Sequence, residues 1–137
     1  MDNNTLAKKA SDIIKKAGVV SFGIIDEQGY PTVSAVSLIK PDGINELYFS
    51  TSTGSNKENR LLANNMASMC CFTRADNVTL VGKAEIMRDQ ETKSKFWLDW
   101  FVDHYPQGPT DPSYIIIKFT AHRASLWIDQ ESAEFNI

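Results

Sequence analysis

The chain has 137 residues, which suits one ordinary domain and is too short for a cofactor domain beside a separate substrate domain. Hydrophobic residues make up 42% and charged residues 23%, and this balance excludes disordered, collagen-like and coiled-coil proteins. The formal net charge is -3 and the basic residues are scattered, so we expect no nucleic-acid partner.

The N-terminal residues predict an amphipathic helix from about Thr5 to Ala17, because apolar side chains recur on one helical face and the lysines lie elsewhere. Gly18 stands at the position of a helix C-cap. The same lysines interrupt the apolar run that a signal peptide needs, and no segment approaches membrane-spanning length. We therefore expect a cytoplasmic protein that has no membrane partner.

Three strands are predicted next. Val19–Ile25 and Thr32–Ile39 are rich in β-forming residues and flank a turn at residues 26–29. Pro41-Asp42-Gly43 then separates the second strand from a third at Glu46–Thr51. This order predicts a three-stranded meander.

A short second helix is predicted from Ser55 to about Asn64, because Ser55 and Glu58 have the spacing of a capping box. The strand before it runs through hydroxyl residues and Gly54 into the helix start. Helix N–H groups, hydroxyls and Lys57 in the first turn favour a phosphate monoester. In the alternative interpretation, Ser55 only caps the helix and Lys57 is a surface lysine.

The second half of the chain predicts four more strands, at Ser68–Thr73, Val78–Met87, Tyr114–Phe119 and Ala124–Ile128. A turn at residues 74–77 joins the first two. Asp89 is placed to cap a third helix, in which aromatic residues recur at helical spacing until prolines end it: Phe96, Trp97, Trp100 and Phe101. About seven short strands with helices between them favour an antiparallel barrel.

Cys70 and Cys71 occupy successive positions of a predicted strand, so their side chains point to opposite faces and a disulfide between them would be strained. Neither His104 nor His122 has the spacing of a metal-ligand pair with them. We therefore expect reduced structural cysteines and no metal. His104 is expected to cap carbonyls or to face solvent, so no acid or base is assigned.

The order of several motifs resembles the pyridoxamine-phosphate-oxidase-like flavin-binding split barrels, and more closely their general-stress-protein branch. The family motifs are residues 26–31, Tyr48-Phe49-Ser50-Thr51 followed by Gly54-Ser55-Asn56-Lys57, and residues 78–84. Residues 97–100, 106–109, 111–112 and 124–127 resemble the stress-protein branch. The resemblance implies a mainly β fold over residues 1–137, a single antiparallel split barrel of six or seven strands with flanking helices.

The resemblance also implies a homodimer that binds FMN in a cleft between its subunits. It places Thr51, Ser55, Asn56 and Lys57 around the phosphate, and Val33, Ser34 and Ala35 along the flavin ring. Ser50 is a further predicted cofactor-binding residue. Asn77 stands where family members use a glutamine. Trp127 or Trp100 approaches the ring across the interface, unless these residues are ordinary core aromatics.

Three departures separate this chain from the oxidase pattern, which carries arginine at the positions of Ser34 and Asn56 and lysine at the position of Ile39. The substrate-binding Arg-x-His of the oxidases is also missing, since His122-Arg123 has the reverse order. Fewer cations mean fewer charge-assisted bonds to phosphate. Oxidation of pyridoxamine phosphate is therefore not expected.

Three functions remain open on this basis. The first is an FMN-dependent oxidoreductase of unknown substrate with a stress-response role, in which the flavin carries the chemistry. The second is a binding protein that holds FMN without turnover, and the third is a cofactor-free dimeric module. Haem or a deazaflavin remains an alternative occupant of the cleft.

Overall fold

The structure is a computed structural model that describes residues 1–137. Its helices are α1 Asn3–Ala17, α2 Asn56–Ala63 and α3 Gln90–Lys95, with two short 3-10 helices at Asp99–Asp103 and Gly108–Thr110. Its strands are β1 Val19–Ile25, β2 Pro31–Ser37, β3 Glu46–Ser52, β4 Met66–Thr73, β5 Asp76–Met87, β6 Tyr114–Ile128 and β7 Glu131–Asn136. The predicted mainly β class with flanking helices is confirmed.

All seven strands form one antiparallel sheet in the order β2-β1-β4-β5-β6-β3, with β7 also paired to β6. Strand β5 follows one edge of β6 over residues 116–127. The opposite edge is shared, since β3 pairs with residues 114–120 and β7 with residues 123–128. The sheet therefore divides along β6, as expected of a split barrel.

The predicted three-stranded meander is wrong. β1 and β2 form the expected hairpin, but β3 pairs along its full length with β6. The reason is the apolar run at residues 115–117 of β6, which is buried and gives β3 a better partner than the exposed strand β2. β2 and β3 are left as the two ends of the strand order.

Helix α1 covers the main core. Its first turn is capped by Asp2, whose Oδ1 accepts from the Thr5 N–H at 2.7 Å, and it ends at Gly18, with φ of 68°. The buried face of the helix contributes Leu6, Ala10 and Ile14 to a core of 25 residues that also includes Phe22, Phe49 and Phe119 from the sheet.

The aromatic segment after Asp89 departs from the predicted helix. α3 ends at Lys95, Leu98 has an extended backbone, and Phe101 lies in the following 3-10 helix. One continuous helix would put Trp100 on the same face as Phe96, four residues before it, whereas the structure buries Phe96 and leaves Trp100 53% exposed. The unwound turn allows a second core to form, of Ile39, Phe96, Phe101, Tyr105, Tyr114 and Ile116.

The last two predicted strands are one strand, β6, and the edge strand β7 was not predicted. The prediction left residues 120–123 between two strands, but the structure continues β6 through them, and the β5–β6 pairing shifts its register between Val81 and Gly82 opposite them. A Cβ at Gly82 would overlap the Thr120 carbonyl oxygen, so glycine allows the two backbones to close there. β7 is mostly exposed and lacks a strong apolar alternation.

Candidate functional site

A cavity of about 350 Å³ lies where β2 and β3 diverge, and its volume is within the usual range for small-molecule sites. β2 and the turn after it form one wall, and the end of β3 and the first turn of α2 form another. The segment after α3 completes it. The lining residues are 35–39, 50–52, Lys57, Leu98, Trp100, Phe101, His104 and Tyr105.

The connection from β3 to α2 is held by local hydrogen bonds. Ser55 Oγ accepts from the Glu58 N–H at 3.2 Å, which is the predicted helix cap, and from the Thr51 hydroxyl at 3.0 Å. Glu58 Oε1 accepts from the N–H of Gly54 at 2.8 Å. Gly54 has φ of 83°, which favours glycine at this tight turn. The predicted capping box is present, with its return bond one residue earlier than expected.

The electrostatics of the cavity favour an anion. Lys57 is the one lysine or arginine in the lining, it forms no ion pair, and no Asp or Glu lines the space. Glu58 is directed away, with Oε2 2.7 Å from Nη2 of Arg88. The Gly54 N–H, and then Arg88, hold the pKa of the Glu58 carboxyl below its usual range. The nearest acid is therefore ionised but already partnered outside the cavity.

The structure divides the predicted cofactor residues into two groups. Four of them line the cavity: Ala35, Ser50, Thr51 and Lys57. Ser55 bonds to Thr51 at its edge, and Asn56 follows as the exposed first residue of α2.

The remaining four predicted residues lie away from this space. Val33 lines a separate depression on the sheet, and Ser34 is exposed opposite Phe22 in the register. Asn77 and Trp127 are direct neighbours across β5 and β6 and are both exposed. Asn77 Oδ1 accepts from Sγ of Cys70 at 3.3 Å. Neither Asn77 nor Trp127 reaches the cavity of its own chain.

Sequence reasoning gave no ligand-binding role to the four lining residues Leu98, Phe101, His104 and Tyr105 of the segment after α3. The hydroxyl of Tyr105 lies 3.5 Å from Ser52 Oγ, which connects this segment to β3. His104 is exposed, as expected, and follows the 3-10 helix, but it is the backbone N–H that bonds to Phe101 O. The sequence does show a dense cluster of aromatic residues in this segment, but their helical spacing led us to predict a buried helix face and not a cavity wall.

A sequence model of the family described as pyridoxamine 5'-phosphate oxidase matches residues 6–128. The chain belongs to this family. No curated protein matches the sequence at a significant level. A solved structure from Clostridium acetobutylicum, described as related to general stress protein 26 of B. subtilis, is 27% identical with a TM-score of 0.86, covering 99% of this chain and 97% of that one.

Two further structures share the fold. General stress protein 26 from Bacillus anthracis str. Sterne is 22% identical with a TM-score of 0.79, and the match covers 96% of this chain and 98% of that one. A heme binding protein from Mycobacterium smegmatis is 17% identical with a TM-score of 0.75, over 95% of this chain and 57% of that one. The resemblance to the general-stress-protein branch of the oxidase family is confirmed.

The departures from the oxidase pattern have different surroundings in the structure. Ile39 is 2% exposed and belongs to the second core, so its position faces apolar groups. Ser34 and Asn56 are exposed and uncharged. The three cations of the oxidase pattern are thus replaced by one buried apolar residue and two neutral polar ones, and Lys57 is the one lysine or arginine in the cavity lining.

No group of three or more His, Cys, Asp or Glu side chains is arranged to hold a metal ion. None of the helices combines the length and the apolar character needed to cross a membrane. Cys70 is half-buried and Cys71 is buried, both as free thiols, and burial raises the pKa of Cys71 to about 11.

Proposed function

We propose that this protein binds FMN, with the phosphate at the start of α2 and the cavity between β2 and β3 as the cofactor site. One observation carries the proposal: the cavity joins an unpaired lysine, strand hydroxyls and a helix N-terminus without any carboxylate in its lining. The residues present therefore fit a phosphate-bearing group.

The start of α2 offers several donors. The N–H groups of Asn56 and Lys57 form no hydrogen bond within the chain, as is usual for the first turn of a helix. Ser55 Oγ already accepts two hydrogen bonds, so its own hydrogen remains to be donated. Together with the Lys57 ammonium, these groups match the oxygens of a phosphate dianion.

The second part of the proposal is a homodimer with FMN at the subunit interface. Exposed apolar side chains are concentrated on one face of the sheet, at Val33, Met66, Phe72 and Trp127. An apolar surface of this kind is typical of a protein interface. A second copy covering it would bring Asn77 and Trp127 towards the cofactor of the other subunit, while Val33, Ser34 and Ala35 lie along the ring.

Bound FMN would supply hydride or electron transfer, so we propose a flavin-dependent oxidoreductase of unidentified substrate with a stress-response role. The chain itself binds the phosphate, orients the ring and excludes water from the cavity. Pyridoxamine phosphate is not proposed as the substrate, because the chain lacks the Arg-x-His motif. We also propose that residues 1–137 form a single domain, since both cores share β6.

A second candidate is a protein that holds FMN without turnover, or a dimer without cofactor. The buried Ile39 and the uncharged Ser34 and Asn56 favour it, because each lost charged bond to phosphate weakens affinity by about 1.5–3 kcal/mol. Haem is a further occupant to test, as one protein of the same fold is described as heme binding. A cytoplasmic location fits the two free thiols.

The test is a fluorescence-quenching titration of the purified protein with FMN, riboflavin, a deazaflavin and haem, together with light scattering. We expect a dimer that binds FMN more tightly than riboflavin and shows a flavin absorbance band when loaded. Equal affinities for FMN and riboflavin would remove the phosphate site. Tighter binding of haem or of the deazaflavin, or a monomer at micromolar concentration, would contradict the proposal.

A further inference from the structure

We propose that Trp100 and His104 form a second subsite in the same cavity, which takes a planar aromatic compound carrying an anionic oxygen group. This inference rests on the proposed function, because it places a substrate beside the FMN site. Both residues line the cavity together with Lys57, but they belong to the wall after α3 rather than to the phosphate end.

The wall that carries these two residues is firmly anchored. Phe101 follows Trp100 and is 2% exposed, and Tyr105 follows His104 and is 5% exposed. Both belong to the second core. The N–H groups of His104 and Tyr105 donate to the carbonyl of Phe101 at 2.9 and 2.8 Å. Trp100 and His104 therefore project from a short turn whose neighbouring residues are fixed by burial.

A buried polar cluster fixes the segment that follows this wall, residues 107–113. Lys93 is 6% exposed and its Nζ donates to the Asp111 carbonyl at 3.0 Å. The Asp111 carboxylate, 4% exposed, accepts from the N–H groups of Gln107 at 3.1 Å and Ser113 at 2.9 Å. A satisfied buried network of this kind makes a local structure rigid. The exposed residues of the wall are thus held in place rather than left mobile.

Trp100 has the geometry of an open stacking surface. The indole is 53% exposed and contacts Phe101 at 4.7 Å and His104 at 5.9 Å between ring centroids. Both pairs are close to perpendicular, at 81°, so no ring of the chain stacks in parallel on the indole. A planar ligand can stack there in the offset arrangement that aromatic pairs prefer.

The polar group of the subsite is an imidazole and not a carboxylate. Asp99 and Asp103 belong to the same 3-10 helix as Trp100 but do not line the cavity. If Lys57 pairs with the FMN phosphate, the imidazole of His104 is the remaining basic group in the lining. It provides an N–H donor for a carboxylate or a similar oxygen group.

Ile39 links the subsite to the departure from the oxidase pattern. Its side chain packs in the second core beneath the wall, at the position where that pattern carries lysine. A charged group among Phe96, Phe101 and Tyr114 would be unpaired and costly to bury. The exchange of a cation for an apolar residue thus supports the aromatic wall, as expected if this chain recognises a different substrate.

The experiment uses the FMN-loaded protein and 2-naphthoate as the probe, with affinity measured by calorimetry. We expect Trp100→Ala to weaken binding of 2-naphthoate by about tenfold, and Trp100→Phe to keep most of it. Val102→Ala is the matched control, since Val102 is exposed on the same turn but does not line the cavity. Val102→Ala should leave FMN affinity unchanged, and the Trp100 variants should lose much less FMN affinity than 2-naphthoate affinity.

Two comparisons separate stacking from charge. Cyclohexanecarboxylate, which has the charge without the ring, should bind weakly to every variant. His104→Gln should weaken 2-naphthoate more than the neutral 2-naphthol. Unchanged affinity for 2-naphthoate in Trp100→Ala, or no binding to the wild-type protein, would overturn the subsite.

FMN affinity is measured separately, so that failure of the cofactor site and failure of the subsite can be distinguished. An equal loss of FMN and 2-naphthoate affinity in Trp100→Ala would make Trp100 a flavin contact and also overturn the subsite. If the wild-type protein binds no FMN, the proposed function fails. The same titrations on the FMN-free protein then decide the subsite alone.

Discussion

Thr51 and Ser55 are joined by a hydrogen bond of 3.0 Å between their hydroxyl oxygens, with Thr51 as the donor. Ser55 Oγ also accepts from the N–H of Glu58, so one serine caps α2 and fixes the end of β3. Because its oxygen is saturated as an acceptor, the same serine presents its hydrogen to a ligand. Its structural role and the ligand-binding role proposed for it can therefore be separated by substitution.

Ser55→Ala should lower the free energy of unfolding by about 1 kcal/mol, the usual cost of losing an N-cap. Ser55→Asp should keep stability close to the wild type, because a carboxylate is also a good cap. Its negative charge at the proposed phosphate position should nevertheless abolish the preference for FMN over riboflavin. Urea denaturation and flavin titration of both variants are the measurements. An aspartate variant that binds FMN normally would contradict the site.

Lys57→Ala should weaken FMN binding about ten- to a hundred-fold, the equivalent of one charged hydrogen bond of about 1.5–3 kcal/mol. Riboflavin affinity should hardly change. The positive end of the helix dipole disfavours a lysine in the first turn, so the empty protein should not lose stability. Lys16→Ala is the control, as Lys16 is exposed on α1 and does not line the cavity. If both variants bind FMN equally well, Lys57 is only a surface charge.

Local signals were sufficient for the elements that depend on neighbouring residues. The helix cap at Ser55 and the C-cap at Gly18 lie where the sequence predicted them, because each depends on bonds within four residues. The pairing of β3 with β6 joins residues far apart in sequence, and no local pattern identifies the partner. Trp100 and Phe101 were misassigned for the same reason, since burial of Phe101 in the second core overrides the helical spacing of this segment.

In the candidate site too, local sequence predicts some residues and tertiary packing determines the others. Thr51 and Lys57 lie together because a short strand-to-helix connection brings them there, and the sequence contains that connection. Tyr105 and His104 reach the cavity only through the tertiary packing of a distant segment. Asn77 and Trp127 lie outside this cavity, and the role proposed for them depends on a partner subunit that one sequence does not describe.

Gly82→Ala should be strongly destabilising, because the added Cβ would overlap the Thr120 carbonyl oxygen on the neighbouring backbone. Gly23→Ala is the matched comparison, since its Cβ would lie 2.7 Å from Ser68 Oγ, a side-chain atom that can rotate away. We expect a loss of about 1–3 kcal/mol at position 82, the usual cost of overpacking, and a smaller one at position 23. Equal melting temperatures would show that β5 and β6 adjust freely.

Asp111→Asn should reduce the acid sensitivity of the fold. Hydrogen bonds from Ser113, and then from Gln107, lower the pKa of Asp111, and Lys93 adds to the effect. A carboxyl with a lowered pKa contributes stability above its unfolded pKa of about 4, and this is lost as pH falls through the folded value. Wild-type stability should thus fall more steeply than that of the variant between about pH 5 and pH 2. Parallel pH profiles from chemical denaturation would show that this carboxylate contributes nothing.

If FMN binds at a subunit interface, as proposed, a mixed dimer of two variants that each bind FMN weakly should regain tight FMN binding at one of its two sites. Lys57 lines the cavity of its own chain, whereas Trp127 is 45% exposed on the sheet face, away from it. If Trp127 contacts the flavin held by the other subunit, Lys57→Ala and Trp127→Ala homodimers should each bind FMN weakly.

A heterodimer of the two variants contains one site with both changes and one site with neither. Subunit exchange, followed by FMN titration, should therefore recover tight binding in half of the sites of the heterodimer. If each chain held its cofactor alone, every site would keep one defect and mixing would restore nothing. A Lys57→Ala and Lys16→Ala mixture is the control, because its heterodimer should bind as many FMN molecules as the two parent homodimers on average.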